Sequence, residues 1–547
     1  MSRLHSVDNL VATKYAAQES NVVQGATATF TYVDSVDAAQ ANTLYAIFVA
    51  KDFQSDEKLA AAYPAVDWAA MAPLFEAQNF TGAAGNATVV NKDGKPVFVL
   101  GMGAKPNNEK IRSLSQAIIS KARDQKRDNV VVYLPQSDII ERDELVLGYG
   151  KGVKGTEKTK QAPTVNCYAQ VVDIVIRGLL YNNWAHDLFL QEPVFTVKNF
   201  TLVGEHVDGI HKVVADAVHG AESVTFAREL GSLRFSVANN TYMKDTLVKL
   251  AEAHSDVFKI KVVAREQLME EEYRLICAVN QGSWDPCYIV CIEYTPPGFV
   301  ETEENKRPHA FVAKTLTFDT GGYDLKPPAG MLDMHCDKHA GCNQLGVFRY
   351  LGLTRPNTSK RLVGVWTITD NEIGSKAVHP HTIISTASVR GANVSCAIDN
   401  TDAEGRLALA DAVTLVQKYY NPAKIVTQAT LTGAILITLG HNMTGLFTNS
   451  PALPQEICAL GELTGERFWH LPILADNHKD LAGKDCDIKN ITGARWMGSS
   501  VAAAFIEYFV GNDVEYVHLD IAGTSSTPGN EAAGTPVNTL QKYAARQ

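Results

Sequence analysis

Two stretches of this 547-residue chain concentrate side chains capable of chemistry. In Asn400–Leu407 (NTDAEGRL), two carboxylates, Asp402 and Glu404, and one guanidinium, Arg406, stand at every second position. Upstream, Phe311–Asp337 (FVAKTLTFDTGGYDLKPPAGMLDMHCD) carries Lys314, Asp319, Lys326 and Asp337. Lys314 shares a two-residue phase with Val312, Leu316 and Phe318, which places a lysine on an apolar strand face. Such a lysine snorkels, pairs with a carboxylate, or gives up its proton because burial disfavours its charge. In the last case it is a neutral amine able to ligate a metal. Either stretch alone also admits a plain reading: a capped helix start with a surface ion pair, or a lysine held by an acid. Together they bring four carboxylates and two lysines to presumed strand ends. Four carboxylates share a cleft only where positive charge compensates them. Two divalent ions about 3.5–4 Å apart, bridged by carboxylates, would supply that charge.

The elements that must position these residues follow from periodicity. Val394–Asp399 (VSCAID) predicts a buried strand, and Ala408–Tyr420 a helix with Leu409, Val413, Val416 and Tyr420 on one face. The turn between them is where side chains of an α/β sheet meet, at the carboxyl ends of the strands. Lys259–Val263, Tyr288–Tyr294, Phe311–Phe318, Leu362–Ile368, Val394–Ile398, Ile425–Thr430 and Tyr516–Ile521 read as strands with helical patterns between most of them. The first third alternates similarly, with strands at Leu44–Ala50, Pro96–Leu100 and Val130–Leu134 and an amphipathic helix at Ile111–Ala122. The fold class expected is α/β: a smaller N-terminal α/β domain (1–205), a connecting helix (206–230), and a larger α/β/α catalytic domain (231–547) around a mainly parallel central sheet. Gly148–Gly155 (GYGKGVKG) matches no phosphate-binding loop and precedes a polar run, so it reads as a surface loop.

Bulk properties narrow the function classes. The net charge of -10 argues against nucleic acid as a partner. The N-terminal stretch lacks the apolar core of a secretory signal, and no run is long and apolar enough to span a bilayer. Nine scattered cysteines suggest reduced thiols and a cytoplasmic location. Cys287 and Cys291 read as small buried residues of a strand. No HExxH metalloprotease motif is present.

KxxxxDxGGxxxK, formed by Lys314, Asp319, Gly321, Gly322 and Lys326, together with NTDAEGRL resembles the paired motifs of the leucyl (cytosol) aminopeptidases. The resemblance continues in order through Ala429–Ala434 (ATLTGA), Gly465–Ile473 (GERFWHLPI), Asp487–Gly493 (DIKNITG) and His518–Thr524 (HLDIAGT). It implies a metal-dependent aminopeptidase that hydrolyses N-terminal, preferably leucine-like, residues from peptides through a metal-bridging water. It implies that Asp319 and Glu404 bridge two divalent metals, that Asp402 binds one, and that Lys314 and Asp337 complete the other. Zinc is the metal expected, with manganese, magnesium or cobalt at the more exchangeable site. By the same resemblance Lys326 stabilises the oxyanion and Arg406 holds a bicarbonate that acts as general base. Met334, Thr430, Leu431 and Gly433 then line the pocket for the N-terminal side chain, and the assembly is a homohexamer, a dimer of trimers.

The chain departs from the family pattern at identifiable places. Asp337–Cys342 reads DKHAGC where small residues usually follow the aspartate, so Lys338 and His339 put bulk and potential charge beside the expected metals. His335, Cys336, His339 and Cys342 also have the composition of a zinc cluster. Ala313 and Thr315 replace glycines beside Lys314. Residues around 378–393 form a longer loop than usual, and Gly231–Ser236 (GSLRFS) replaces an asparagine-proline element. The altered DKHAGC run motivates the alternative of a catalytically weakened family member retained as a structural or binding protein.

Overall fold

The computed structural model describes residues 5–14, 22–36, 42–51, 53, 68–92, 95–104, 106, 108–135 and 167–547. Gly148–Gly155 lies outside the described residues. Two compact units are present: Ala16–Thr225 with Glu462–Gly465, and Met1–Tyr15 with Phe226–Gly461 and Glu466–Gln547. The division falls within one long helix, Ile210–Ser232.

The first unit is built on strands β1 (Val22–Gln24), β2 (Thr29–Val33), β3 (Thr43–Ala50), β4 (Ala87–Lys92), β5 (Lys95–Gly103), β6 (Asn129–Tyr133) and β7 (Asn199–Val203), in the order β1-β2-β7-β6-β3-β5-β4. The inner pairs run parallel and both edges antiparallel. Its helix Asn108–Asp124 buries Ile111, Leu114, Ile118, Ile119 and Ala122, the stripe that its 3.6-residue periodicity dictates.

The second unit contains β8 (Phe258–Ala264), β9 (Tyr288–Tyr294), β10 (His309–Asp319), β11 (Leu362–Asn371), β12 (Thr382–Thr386), β13 (Val394–Ile398), β14 (Lys424–Ala429), β15 (Thr444–Thr448), β16 (Phe468–His470), β17 (Ile488–Lys489) and β18 (Glu515–Asp520). Its main sheet has the order β16-β15-β18-β14-β10-β11-β9-β8, and the four central strands β18, β14, β10 and β11 are parallel. Parallel strands are covered on both faces and read as continuous apolar runs. Accordingly β11 is buried at every position and β10 at nearly every one. The two-residue phase of Lys314 therefore does not single out one apolar face, because both faces are in the core. Val394–Ile398 is a strand, but it joins a separate three-stranded sheet, β12-β13-β17, instead of the main one. The stretch expected as a long loop before NTDAEGRL contains β12, antiparallel to β13. The helix Gly405–Tyr420 buries Leu407, Leu409, Val413 and Val416 within the same core as Val312, Val365 and Ile425. Because the central strands share one direction, Asp319, Asn371, Ala429 and Asp520 all end at one edge of the sheet. That edge is where the charged residues gather.

Candidate metal centre and active site

Lys314, Asp319, Asp337 and Glu404 are each at most 4% exposed, while Asp402 faces solvent. Lys314 Nζ lies 2.8 Å from Asp337 Oδ1 and 2.8 Å from Glu404 Oε1, and donates to the Thr430 carbonyl at 3.0 Å. Lys326 Nζ lies 2.6 Å from Asp319 Oδ2 and also pairs with Asp402. Both lysines of the first motif are thus gripped by carboxylates of both motifs. Asp319, Asp402 and Glu404 each offer an oxygen within 4.8 Å of the others. Among the described residues, no other three His, Cys, Asp or Glu side chains converge so closely. His335, Cys336, His339 and Cys342 do not form such a group.

Electrostatics of the cluster show an excess of negative charge. Burial, then Glu404 and Asp337, push the Asp319 carboxyl well up. Burial raises Asp337 as well, against the pull of Lys314. Burial would lower Lys314, but Asp337, Glu404 and Asp319 outweigh it and hold the ammonium above its ordinary range. Of the three states open to a buried lysine, the ion-paired one is what the fold builds. Asp337 Oδ2 is buried without a hydrogen-bond partner. A partnerless buried carboxylate oxygen, in a cluster where acids outnumber lysines, fits a divalent cation better than any further donor in the chain.

Local structure explains each position. Asp319 ends β10, and its Oδ1 accepts from Gly321 N and from Asn371 Nδ2, both at 2.8 Å. Gly321 and Gly322 have φ of +86° and +64°, so the chain turns sharply and Lys326 returns over the acids. Asp337 sits in the short 3-10 turn Met334–Lys338, directly before the helix His339–Thr354, with no strand preceding it. Glu404 is the N-cap of the helix Gly405–Tyr420, yet its side chain makes no capping bond and goes to Lys314 instead. The capping role fails because the ion pair competes for the same carboxylate. Gly405 makes that approach possible: a Cβ there would lie 2.6 Å from Lys314 Cε.

Arg406 is buried, donates from Nη1 to the Asn490 carbonyl at 2.7 Å, and leaves Nε without a partner. Burial lowers its pKa to about 10, and the guanidinium stays charged at neutral pH. The Thr430 hydroxyl donates to Asp337 Oδ1 at 2.7 Å. Leu431 N and the Thr432 hydroxyl bond the buried Asp520 carboxylate, at 3.2 and 2.7 Å. Gly433 is exposed at the start of the helix Gly433–Leu439, and Met334 is half-buried at the start of the Asp337 turn. Lys338 is fully buried and bonded to backbone carbonyls, and His339 is buried with burial and Lys338 lowering its pKa to about 3. Neither therefore adds an exposed charge beside the acids.

Two asparagines that sequence reasoning passed over hold the site together. Asn371 Nδ2 bonds Asp319 Oδ1 and also the Thr401 carbonyl at 3.0 Å, tying one motif to the other. Asn490 Oδ1 accepts from Asp399 N at 2.9 Å and Asn400 N at 3.2 Å, while its Nδ2 donates to the Asn400 carbonyl at 2.6 Å. Only its place inside DIKNITG hinted at a role; asparagine at a strand end is otherwise unremarked in a sequence.

Residues 225–541 match the family model described as the cytosol aminopeptidase family, catalytic domain. A probable cytosol aminopeptidase of Nitratidesulfovibrio vulgaris is 30% identical over 506 residues, covering 89% of this chain and 91% of the relative. Among solved structures, a mutant of tomato leucine aminopeptidase superposes with a TM-score of 0.78 at 23% identity, over 98% of this chain and 99% of that one. The bottromycin maturation enzyme BotP in complex with Mn has a TM-score of 0.73 at 21% identity, over 93% and 100%. Both confirm the α/β architecture. With the family model spanning more than half of the chain, and the bacterial relative aligned along most of it, the chain belongs to the cytosol aminopeptidase family and is a hydrolase, a metal-dependent aminopeptidase.

Proposed function

We propose that this aminopeptidase removes N-terminal, leucine-like residues from peptides through a water that bridges two divalent ions. The observation that carries this reading is the convergence of four carboxylates on two lysines, with Asp337 Oδ2 buried and partnerless. Asp319 and Glu404 would hold both ions, Asp402 one of them, and Lys314 and Asp337 the other. When bound, such ions supply Lewis acidity, acidifying a shared water and polarising the peptide carbonyl. The remaining work belongs to the chain's own groups. Lys314 must release its proton, and with it the two ion pairs, before its amine can ligate. Lys326 would present its ammonium to the oxyanion of the tetrahedral intermediate. Arg406 would hold a bicarbonate as general base, since a buried guanidinium with a partnerless Nε suits a small anion. Met334, Thr430, Leu431 and Gly433 would line the pocket for the N-terminal side chain, where each methylene contributes modest discrimination.

Zinc is the metal proposed, with manganese, magnesium or cobalt at the more exchangeable position. The proposed assembly is a homohexamer, a dimer of trimers, in the cytoplasm. Among the described residues no helix is long and apolar enough to cross a membrane.

The test is hydrolysis of the fluorogenic leucine amide of aminomethylcoumarin after chelation, with zinc or manganese added back and the glutamate amide as comparison. Metal-restored turnover that favours leucine and is lost in Asp402→Ala is the expected result. Turnover without leucine preference overturns the specificity. No metal-dependent turnover, with Asp402→Ala equal to wild type, overturns the mechanism in favour of the weakened-relative alternative.

A further inference from the structure

Two of the stretches that depart from the family's pattern, Gly231–Ser236 and Asp337–Cys342, meet in space. Lys338 is fully buried, and its Nζ donates to the carbonyls of Gly231 at 3.0 Å, Leu233 at 2.7 Å and His335 at 2.8 Å. Gly231 lies in the last turn of the helix Ile210–Ser232, and Leu233 follows it. Carbonyls at a helix C-terminus lack intrahelical partners, and a cation is favoured there. His335 belongs to the same 3-10 turn as Lys338 and Asp337. One ammonium therefore uses its three protons to fasten the turn that carries Asp337 to the end of the helix. Side chains repeat the link. Arg234 Nη1 meets His335 Nε2 at 2.8 Å, and a Cβ on Gly231 would lie 3.1 Å from His339 Cδ2.

We propose that Lys338 is a positioning residue for the metal centre, setting with the Gly231 and Leu233 carbonyls where Asp337 stands, so that the two departures act as one compensating pair. This rests on the reading of Asp337 as a metal ligand. The fixed turn brings Asp337 Oδ1 to Lys314 Nζ at 2.8 Å and to the Thr430 hydroxyl at 2.7 Å, leaving Oδ2 without a partner. An apolar side chain of the same length at position 338 takes from three buried carbonyls the donor they share, and the turn relaxes in response. Glutamine keeps two donors and satisfies part of the set.

The experiment is calorimetric titration of Mn²⁺ into the chelated full-length protein as wild type, Asp337→Asn, Lys338→Met and Lys338→Gln, with near-ultraviolet circular dichroism as the check of fold. Natively folded Lys338→Met is expected to bind metal about tenfold or more weakly at one of two sites, with the other unchanged. Lys338→Gln should fall between it and wild type, and peptidase activity of both should recover at high Mn²⁺ with KM for the peptide unaltered. Wild-type metal binding by folded Lys338→Met, while Asp337→Asn loses a site, overturns the proposal and spares the ligand assignment. Wild-type binding by Asp337→Asn overturns the ligand assignment itself. Should Lys338→Met fail to fold, Lys338→Gln decides by the same criteria. If both misfold, Lys338 serves the fold as a whole and the positioning role is overturned.

Discussion

Lys314 is surrounded so closely that a single methyl group on its neighbour is incompatible with its place. A Cβ at residue 405 would lie 2.6 Å from Lys314 Cε and 2.7 Å from its Nζ. The lysine is pinned at its tip by Asp337, Glu404 and the Thr430 carbonyl, so it cannot step aside at low cost. Gly405→Ala is therefore expected to lower kcat/KM at least about tenfold while the fold persists, measured by steady-state kinetics beside circular dichroism. Overpacking of this sort costs about 1–3 kcal/mol. Lys326 differs, because it is only partly buried and pairs with Asp319 and the solvent-facing Asp402. An ammonium that meets the oxyanion only as it forms contributes to kcat more than to KM. Lys326→Ala is expected to lower kcat about 10²–10³-fold with KM changed little, the magnitude of losing one oxyanion donor. An equal loss carried wholly by KM would assign Lys326 to substrate binding instead.

Between β13 and the helix Gly405–Tyr420, the turn that carries Asp402, Glu404 and Arg406 is not held by its own hydrogen bonds alone. Asn490, arriving beside it from β17, accepts from two of its N–H groups, donates to the Asn400 carbonyl, and offers its own carbonyl to Arg406. The residue is fully buried, so alanine there leaves several polar groups without partners or water. Asn490→Ala is expected to lower the stability of the second unit by about 2 kcal/mol or more, read as a lower urea midpoint by tryptophan fluorescence. Activity should fall under conditions where the protein is still folded, because the turn that presents three charged groups loses its rivet. Retained stability with lost activity would restrict the Asn490 side chain to orienting the turn that carries Asp402 and Glu404.

Across the molecule, acid sensitivity follows from histidines that the fold keeps neutral. His254 caps the helix Asn240–Ala253, is buried, and has neither ring nitrogen bonded. Burial first, then Arg349 and Arg355, lower its pKa to about 4 against the opposing pull of Asp256. Below about pH 6.5 the unfolded chain takes up a proton that the folded chain refuses until about pH 4. His254 therefore contributes stability above pH 6.5 that is lost as pH falls through that window. The unfolding midpoint of wild type should drop between pH 6.5 and 4, by an amount on the order of 3 kcal/mol from this group. His254→Leu should flatten that part of the slope. An unchanged slope in the variant would assign the acid lability elsewhere.

The amino-acid sequence alone determined the fold class and the family, and it presented Lys314, Asp319, Lys326, Asp337, Asp402, Glu404 and Arg406 as one constellation. Charged groups set in apolar runs are legible there because burying them costs free energy that only a partner or a ligand offsets. It did not disclose that Val394–Ile398 leaves the main sheet, since strand pairing depends on long-range hydrogen bonds and not on local periodicity. Nor did it disclose Asn371 and Asn490, whose side chains bond backbone groups far away along the chain. Lys338 marks the boundary most clearly. Its neighbours in sequence place a charge beside the proposed metal ligands, whereas its neighbours in space are three carbonyls that take up all three of its N–H donors. Only tertiary structure decides between those outcomes, because a lysine's reach allows several partners and the folded backbone determines which carbonyls are within it.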